Sequence, residues 1–230
     1  MKLSVVIPVY NEKNTIREIL KKVKQVNIDG VEKEIIIVDD CSKDGTRDIL
    51  KTLQTEQPDL KIYFKEINSG KGATLREGFK YTTGDYVIVQ DADLEYNPED
   101  YKVLLNALQK NNAKVVYGSR FSGKYEHMTN MHFIGNKMLT FLTNILFGVT
   151  LDDMETCYKL VPGGFVRDLK INSNRFNFEP EITAKILKSG MKIIEVPISY
   201  FGRTWSEGKK ITWKDGISAF STLIKYRFTD

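Results

Sequence analysis

Unbroken apolar runs and helical stripes alternate through the first half of the chain. LSVVIPV (residues 3–9) is continuous and β-branched, the pattern of a strand covered on both faces. Between residues 14 and 26, Ile16, Ile19, Leu20 and Val23 recur at helical spacing. The alternation then repeats. EIIIVDD (34–40) predicts a strand, 45–54 a helix, LKIYFKE (60–66) a strand, 71–81 a helix and DYVIVQD (85–91) a strand. A helix over 98–109 follows, with Pro98 in its first turn, and AKVVYGS (113–119) predicts a fifth strand. Such alternation predicts βαβ units, hence a single α/β domain with a mostly parallel central sheet flanked by helices.

After residue 120 the rhythm changes. Residues 127–147 predict a long helix, with Phe133, Met138, Leu139, Phe141, Leu142, Ile145, Leu146 and Phe147 on a broad apolar face. DDMETCYKL (152–160) reads as a polar turn entering a strand. Residues 178–189 predict a helix whose Glu179 and Glu181 suit the positive end of its dipole. MKIIEVPISY (191–200) predicts a strand broken by Pro197, 202–216 a basic loop, and 217–228 a last amphipathic helix. With no repeat and no linker, residues 121–230 read as an elaboration of the same domain.

Composition narrows the function classes. A net charge of +4 is too mild for a nucleic-acid-binding protein. Cys41 and Cys157 form no CxxC pair, which argues against zinc and disulfides and for a reducing, cytoplasmic compartment. His127 and His132 are too few for a histidine metal centre. MKLSVVIPVY does not read as a signal peptide, and no apolar run reaches the roughly 18 residues of a membrane span.

Ligands of parallel sheets bind beyond the carboxyl ends of the strands. Four of those ends are polar: Pro8-Val9-Tyr10-Asn11-Glu12, Asp39-Asp40, Asp91-Ala92-Asp93 and Gly118-Ser119-Arg120. Asp91 and Asp93 form a D-x-D that an extended chain would point to one side, with Glu95 next on that face. Like charges that close repel unless a cation lies between them, and Mg²⁺ or Mn²⁺ takes oxygen ligands shared with substrate phosphates. The bland alternative is a pair of solvated loop carboxylates. A carboxylate past a strand end commonly meets a ribose or base, so Asp39 is assigned that contact and Asp40 a structural role. Ser69-Gly70-Lys71-Gly72 lacks the spacing of a phosphate loop. Its glycines permit close approach to a nucleotide, and Lys71 is either a phosphate or base contact or a solvated lysine. Arg120, Arg203, Lys209 and Lys210 supply cations, Arg203 in a loop with Trp205 and Gly208 that is placed to fold over phosphates. A Rossmann oxidoreductase is disfavoured, since no G-x-G-x-x-G follows the first strand.

VVIPVYNE (5–12), IIIVDDCSKDGT (35–46), NSGKGATLREGF (68–79), GDYVIVQDADLE (84–95) and YGSRF (117–121) together resemble the family 2 glycosyltransferases. Within that family DADLE, GSRF, DMETCYKL and the R-x-x-x-x-G-K-K loop are most similar to the dolichol- or polyprenyl-phosphate hexosyltransferases. The resemblance implies a GT-A fold, with residues 1–120 binding a nucleotide sugar and 121–230 an acceptor. It places Pro8, Tyr10, Glu12, Asp39, Lys71, Asp91 and Ala92 around a UDP- or GDP-sugar. It gives a Mg²⁺ or Mn²⁺ ion to Asp91, Asp93 and Glu95, although the family often has Gln at the last position. Arg120, Arg203, Lys209 and Lys210 would hold phosphates, with a Gly-Lys pair where better-known members have Ser-Lys.

The reaction implied is an inverting displacement, with Asp93, Arg203 and Asp153 as catalytic candidates. A lipid phosphate acceptor is already anionic and needs cations. A sugar hydroxyl needs a base, for which Asp153 or Glu155 stands in place. The basic residues favour the phosphate. A non-catalytic nucleotide-sugar-binding protein is the remaining class. Peripheral contact with the cytoplasmic face of a membrane is expected through the helices at 131–147 and 217–228, with packing on the sheet or on a second subunit as the alternative. The chain ends at Asp230, where relatives often continue into transmembrane helices, so anchoring is expected through those helices, a further segment or a membrane-protein partner.

Overall fold

In the computed structural model, which describes residues 1–203 and 213–229, the apolar runs become the middle of a seven-stranded sheet. The strands are β1 (Lys2–Val9), β2 (Glu32–Asp39), β3 (Lys61–Phe64), β4 (Tyr86–Val89), β5 (Val115–Glu126), β6 (Lys159–Pro162) and β7 (Ile193–Phe201). Their spatial order is β3-β2-β1-β4-β6-β5-β7. β1 pairs in parallel with β2 and β4, β2 with β3, and β5 with β7. β6 is antiparallel to both its neighbours, β4 and β5. The sheet is therefore mostly parallel and runs unbroken from residues of the first half into the second.

Around it lie α1 (Ile16–Gln25), α2 (Thr46–Glu56), α3 (Lys71–Phe79), α4 (Tyr101–Lys110), α5 (Asn130–Phe147), α6 (Gly163–Asp168), α7 (Phe178–Lys188) and α8 (Trp213–Phe228). Helices on both faces explain why consecutive residues of β1 and β2, such as Val5, Val6, Ile7 and Ile36, Ile37, Val38, are all fully buried. The chain moves outward from β1 through β2 to β3, then returns to place β4 on the other side of β1. In open α/β sheets such a reversal is where ligands bind, here beyond the carboxyl ends of β1 and β4. Two antiparallel steps through β6 bring β5, and with it β7, back to the direction of β4. Residues that follow β1, β2, β4 and β7 therefore gather on one edge.

The fold departs from the sequence expectations in three places. β5 does not stop at 119 but runs to Glu126, pairing with β7 across a register shift between Ser119 and Lys124. Its polar tail carries no strand pattern, and two glycines make the pairing possible. A Cβ at Gly118 would lie 2.7 Å from Ile198 Cγ2, and one at Gly123 1.9 Å from the Ile198 carbonyl oxygen. Pro197 does not break β7, because β7 is an edge strand where a missing N–H is tolerated. The short α6 follows β6 without a sequence signal.

α5 and α8 pack on one another over Leu151, Met154 and Leu223, with Leu139, Leu142 and Leu146 against them. α8 also packs on α7, burying Ala219 and Tyr226, and a further set of apolar residues on both helices faces outward. Met131, Ile134, Met138, Phe141 and Ile145 recur every three or four residues on α5 and are 56–79% exposed. Ile217, Phe220, Ile224 and Phe228 on α8 are exposed as well. Among the described residues no helix is long and apolar enough to cross a membrane.

Candidate active site

The carboxylates expected at the strand ends do meet, though not by strand geometry. β4 ends at Val89, and Leu94 adopts a left-handed conformation (φ 66°), so the chain turns between Asp93 and Glu95. The expectation that an extended chain would align Asp91, Asp93 and Glu95 on one face is thus corrected. The turn is closed by the Glu95 amide donating to Asp93 Oδ1 (3.2 Å).

Arg203, just past the end of β7, joins this turn to the end of β1. Its guanidinium lies 3.0 Å from Glu12 Oε2 and 3.2 Å from Asp93 Oδ2. Its backbone N–H donates to Glu95 Oε1 (2.8 Å), while the Tyr200 hydroxyl donates to Glu95 Oε2 (2.8 Å). Asn11 (φ 52°) turns the chain after β1 so that Glu12 faces inward, its amide donating to Thr46 Oγ1 (2.9 Å). Burial pushes the Asp93 carboxyl up, and the nearby Glu95 and Asp91 push it further, to about 8, against the opposing pull of Arg203.

Lys71 is not a solvated lysine. It lies mostly covered at the start of α3, 2.9 Å from Asp91 Oδ1 and 2.9 Å from Glu179 Oε1. Burial pulls its ammonium down, but Asp91, Cys157 and Glu179 outweigh that and hold it well above the usual lysine value. Asp91 is correspondingly lowered by Lys71 despite its own burial. The glycines flanking Lys71 serve protein packing. A Cβ at Gly72 would lie 2.3 Å from the Ser173 carbonyl oxygen, and one at Gly70 (φ 89°) 2.5 Å from that of Asn174.

Asp39 is fully buried, accepts from the Ser42 amide (3.2 Å) and pairs with Arg47 Nε at 2.7 Å. Asp40 holds the turn before α3, accepting from the amides of Ser69 (3.0 Å) and Gly70 (2.7 Å) and from Lys65 Nζ (2.5 Å). Pro8 and Tyr10 are half-buried at the end of β1. The Ala92 side chain belongs to the hydrophobic core, which leaves its backbone to face any ligand.

Arg120 and Asp153 pair with each other. Arg120 Nε and Nη2 reach the two Asp153 oxygens at 2.7 and 2.8 Å, and the Arg120 amide donates to Oδ2 (3.0 Å). Arg120 also lies over the Tyr200 ring at 5.3 Å. Both Asp153 oxygens are taken by Arg120, which leaves no open group for a general base, while Arg120 spends Nε and Nη2 on Asp153. Glu155, two residues on, has its Oε1 buried with no hydrogen-bond partner among the described residues. Burial, then Glu179, push its carboxyl up to about 8, against Lys159 and Arg120. Lys159 is pulled down to about 8 by burial. Its ammonium donates to the carbonyls of Met154 (2.8 Å) and Thr156, which flank Glu155 in the chain. Lys209 and Lys210, with Trp205 and Gly208, lie outside the described residues.

Sequence reasoning missed two members of this buried network. Glu179 reads as a helix-dipole carboxylate, yet it sits against Lys71. Lys159 reads as an ordinary strand residue, yet it is buried over the Tyr117 ring at 4.6 Å. A usable signal was present for Glu179: Phe178 and Ile182 flank it on a helix too apolar to be solvated there.

Among the described residues no three carboxylates, cysteines or histidines are gathered as a ready metal-ligand set. Asp91 is committed to Lys71, and Glu95 to Tyr200 and Arg203. The charge nevertheless fits a cation. Glu12, Asp91, Asp93 and Glu95 stand against Lys71 and Arg203, more carboxyls than cations among the described residues. All the donors are oxygens, which suits Mg²⁺ or Mn²⁺.

Comparison with known proteins bears on this arrangement. The model of the family described as glycosyl transferase family 2 matches residues 4–162. The dolichol-phosphate mannosyltransferase of Pyrococcus furiosus is 30% identical over 91% of this chain, which spans 59% of that protein's length. The dolichyl-phosphate beta-glucosyltransferase ALG5A of Trichomonas vaginalis is 30% identical over 97% of this chain and 72% of its own. Among solved structures, glucosyl-3-phosphoglycerate synthase from Mycobacterium tuberculosis, in complex with Mn²⁺, UDP and glucosyl-3-phosphoglycerate, superposes with a TM-score of 0.74. That match covers 100% of this chain and 81% of the other at 17% identity, a likeness of fold.

Proposed function

This chain belongs to glycosyl transferase family 2, and from that premise we propose that it moves a hexose from a UDP- or GDP-sugar to a polyprenyl or dolichyl phosphate. The acceptor phosphate oxygen attacks the anomeric carbon. A new C–O bond forms as the bond to the nucleoside diphosphate breaks, and the diphosphate leaves with the electron pair. The observation that carries the acceptor class is the exposed apolar stripe on α5 and α8. It matches the surface of a bilayer, where a polyprenyl phosphate resides. The names of the two relatives point to the same acceptor chemistry.

Each residue then has a role. Pro8, Tyr10, Glu12 and Asp39 line the nucleoside side of the site, with Ala92 contributing backbone. Asp93, with Asp91 and Glu95, would hold Mg²⁺ or Mn²⁺. When bound, the metal neutralises charge developing on the departing diphosphate. Arg203 serves the same charge from the protein side, since its guanidinium already lies among Glu12, Asp93 and Glu95. Lys71 positions Asp91. Arg120 braces Asp153 and the Tyr200 ring rather than standing open to solvent.

The test is a transfer assay with Mg²⁺ or Mn²⁺, labelled UDP- and GDP-sugars, and a short polyprenyl phosphate. The expected result is label in the lipid phase only when the phosphate lipid is present. Donor binding with no lipid label, and label on a glycan instead, would overturn the acceptor. One observation favours that second reading, a sugar hydroxyl acceptor. Glu155 has an unpartnered buried oxygen and could take a proton, whereas Asp153 has both oxygens on Arg120.

A further inference from the structure

Glu155 is a buried acid with no assigned task if the acceptor is a phosphate, and its surroundings define one. Four charged groups from four parts of the chain face it: Glu179 on α7, Lys159 on β6, Arg120 on β5 and Asp153 in its own segment. All four are already committed. Arg120 is bidentate to Asp153, and the Lys159 ammonium is spent on the carbonyls on either side of Glu155. Glu179 is tied to Lys71, and through it to Asp91. An ionised Glu155 would be a further buried anion beside Asp153 and Glu179, with no donor to satisfy Oε1. A neutral carboxyl avoids this cost and carries an O–H that can be given to an incoming acceptor oxygen.

We propose that Glu155 takes part in the transfer as a neutral carboxylic acid, donating a hydrogen bond to a phosphate oxygen of the acceptor beside the Arg120–Asp153 pair. The inference rests on the polyprenyl phosphate reading above. The proton stays on Glu155 throughout, and the only bonds made and broken are those at the anomeric carbon. The charge-assisted O–H···O⁻ bond is of the strong class, and its loss on ionisation would set a carboxylate against a phosphate. Protonation near neutral pH is what its burial and the neighbouring Glu179 impose. Glu155 thus tunes affinity for the phosphate monoester and does not act as a base.

The experiment compares kcat/KM for a short polyprenyl phosphate between pH 7 and 9 in the wild-type protein and in Glu155→Gln, at saturating donor. Glutamine keeps a donor and cannot ionise. At pH 7 the variant is expected to retain activity within about threefold, and the variant-to-wild-type ratio to rise about tenfold by pH 9 as Glu155 ionises. Asp93 titrates in both proteins, so its effect divides out of the ratio. Glu155→Ala, which has no donor, is expected to raise the acceptor KM about tenfold with the donor KM unchanged. A ratio that is flat with pH, or an inactive Gln variant that still binds nucleotide, overturns the inference. The second outcome is the signature of a general base. Wild-type protein that never labels the phosphate lipid sinks the acceptor reading itself, whereas lipid labelling with a flat ratio sinks only this role of Glu155.

Discussion

Two buried acid sites on opposite edges of the same sheet differ in what they do with their charge. At the amino edge, Glu34 accepts from the Thr83 amide (2.6 Å), the Thr83 hydroxyl (2.9 Å), the Gly84 amide (3.1 Å), Lys61 Nζ (2.7 Å) and the Ser4 hydroxyl. Burial alone would raise its carboxyl, but Lys61, Ser4 and Thr83 outweigh burial and bring it to about 2. At the carboxyl edge, Asp93 and Glu155 are under-supplied with partners, and both are pushed up to about 8. A saturated buried acid stabilises a fold. An under-partnered one has capacity left for a ligand, and strongly perturbed groups cluster where ligands are handled.

The largest effect that bears on this contrast is Asp93→Asn. Turnover should fall by at least about a hundredfold. Full activity in a metal-dependence assay would remove Asp93 from the site. The sign for stability runs the other way. The folded carboxyl is raised above its ordinary 3.8, so the stability it contributes is present below that value and lost as pH rises through about 8. Melting temperatures should therefore favour the Asn variant at pH 9 and converge with wild type at pH 4. Any Mn²⁺-induced rise in melting temperature should grow with pH in the wild type only.

Arg203→Ala comes next. Turnover should drop by about a hundredfold, with affinity for free nucleotide changing far less. Equal losses in a nucleotide titration would reduce Arg203 to a binding residue. Glu34→Gln should leave turnover unchanged and cost about 1–3 kcal/mol in urea unfolding. Because its folded carboxyl is depressed, that stability is present above about pH 4.5 and is lost as pH falls through about 2. A Glu34 variant with normal unfolding but impaired transfer would dissolve the contrast between the two edges.

The smallest effect expected lies on the apolar stripe. Phe141→Ser should not change the melting temperature, since the ring is 66% exposed. It should weaken sedimentation with phospholipid vesicles by severalfold, as about 1 kcal/mol from partial burial of the aromatic ring would predict. Unchanged vesicle binding together with a shift in oligomeric mass would assign the stripe to a second copy of the chain.

Much of the fold was readable before any coordinates, because burial on both faces of a parallel strand leaves unbroken runs such as LSVVIPV and EIIIV. The edge on which chemistry would gather was readable for the same reason, since polar residues follow those runs abruptly at Glu12, Asp39 and Asp91. The tail of β5 was not, because Gly123 and Lys124 pair through close backbone approach to β7 and not through an apolar pattern. Nor was the fate of the site's cations. Arg120 and Lys71 look like phosphate ligands in sequence, and in the fold each is held by a carboxylate.

By itself the sequence determined most of the strands and helices, that they alternate, and that carboxylates stand at the strand ends. These follow from side-chain period and hydrophobicity, which act over a few residues. Only the tertiary structure decided which charge meets which. Arg120 finds Asp153 across 33 residues, and Arg203 finds Glu12 across 191. No local pattern encodes such pairings. Coulomb attraction is strong only at a few ångströms and in a medium drained of water, and both conditions arise only when distant strand ends are folded onto one edge.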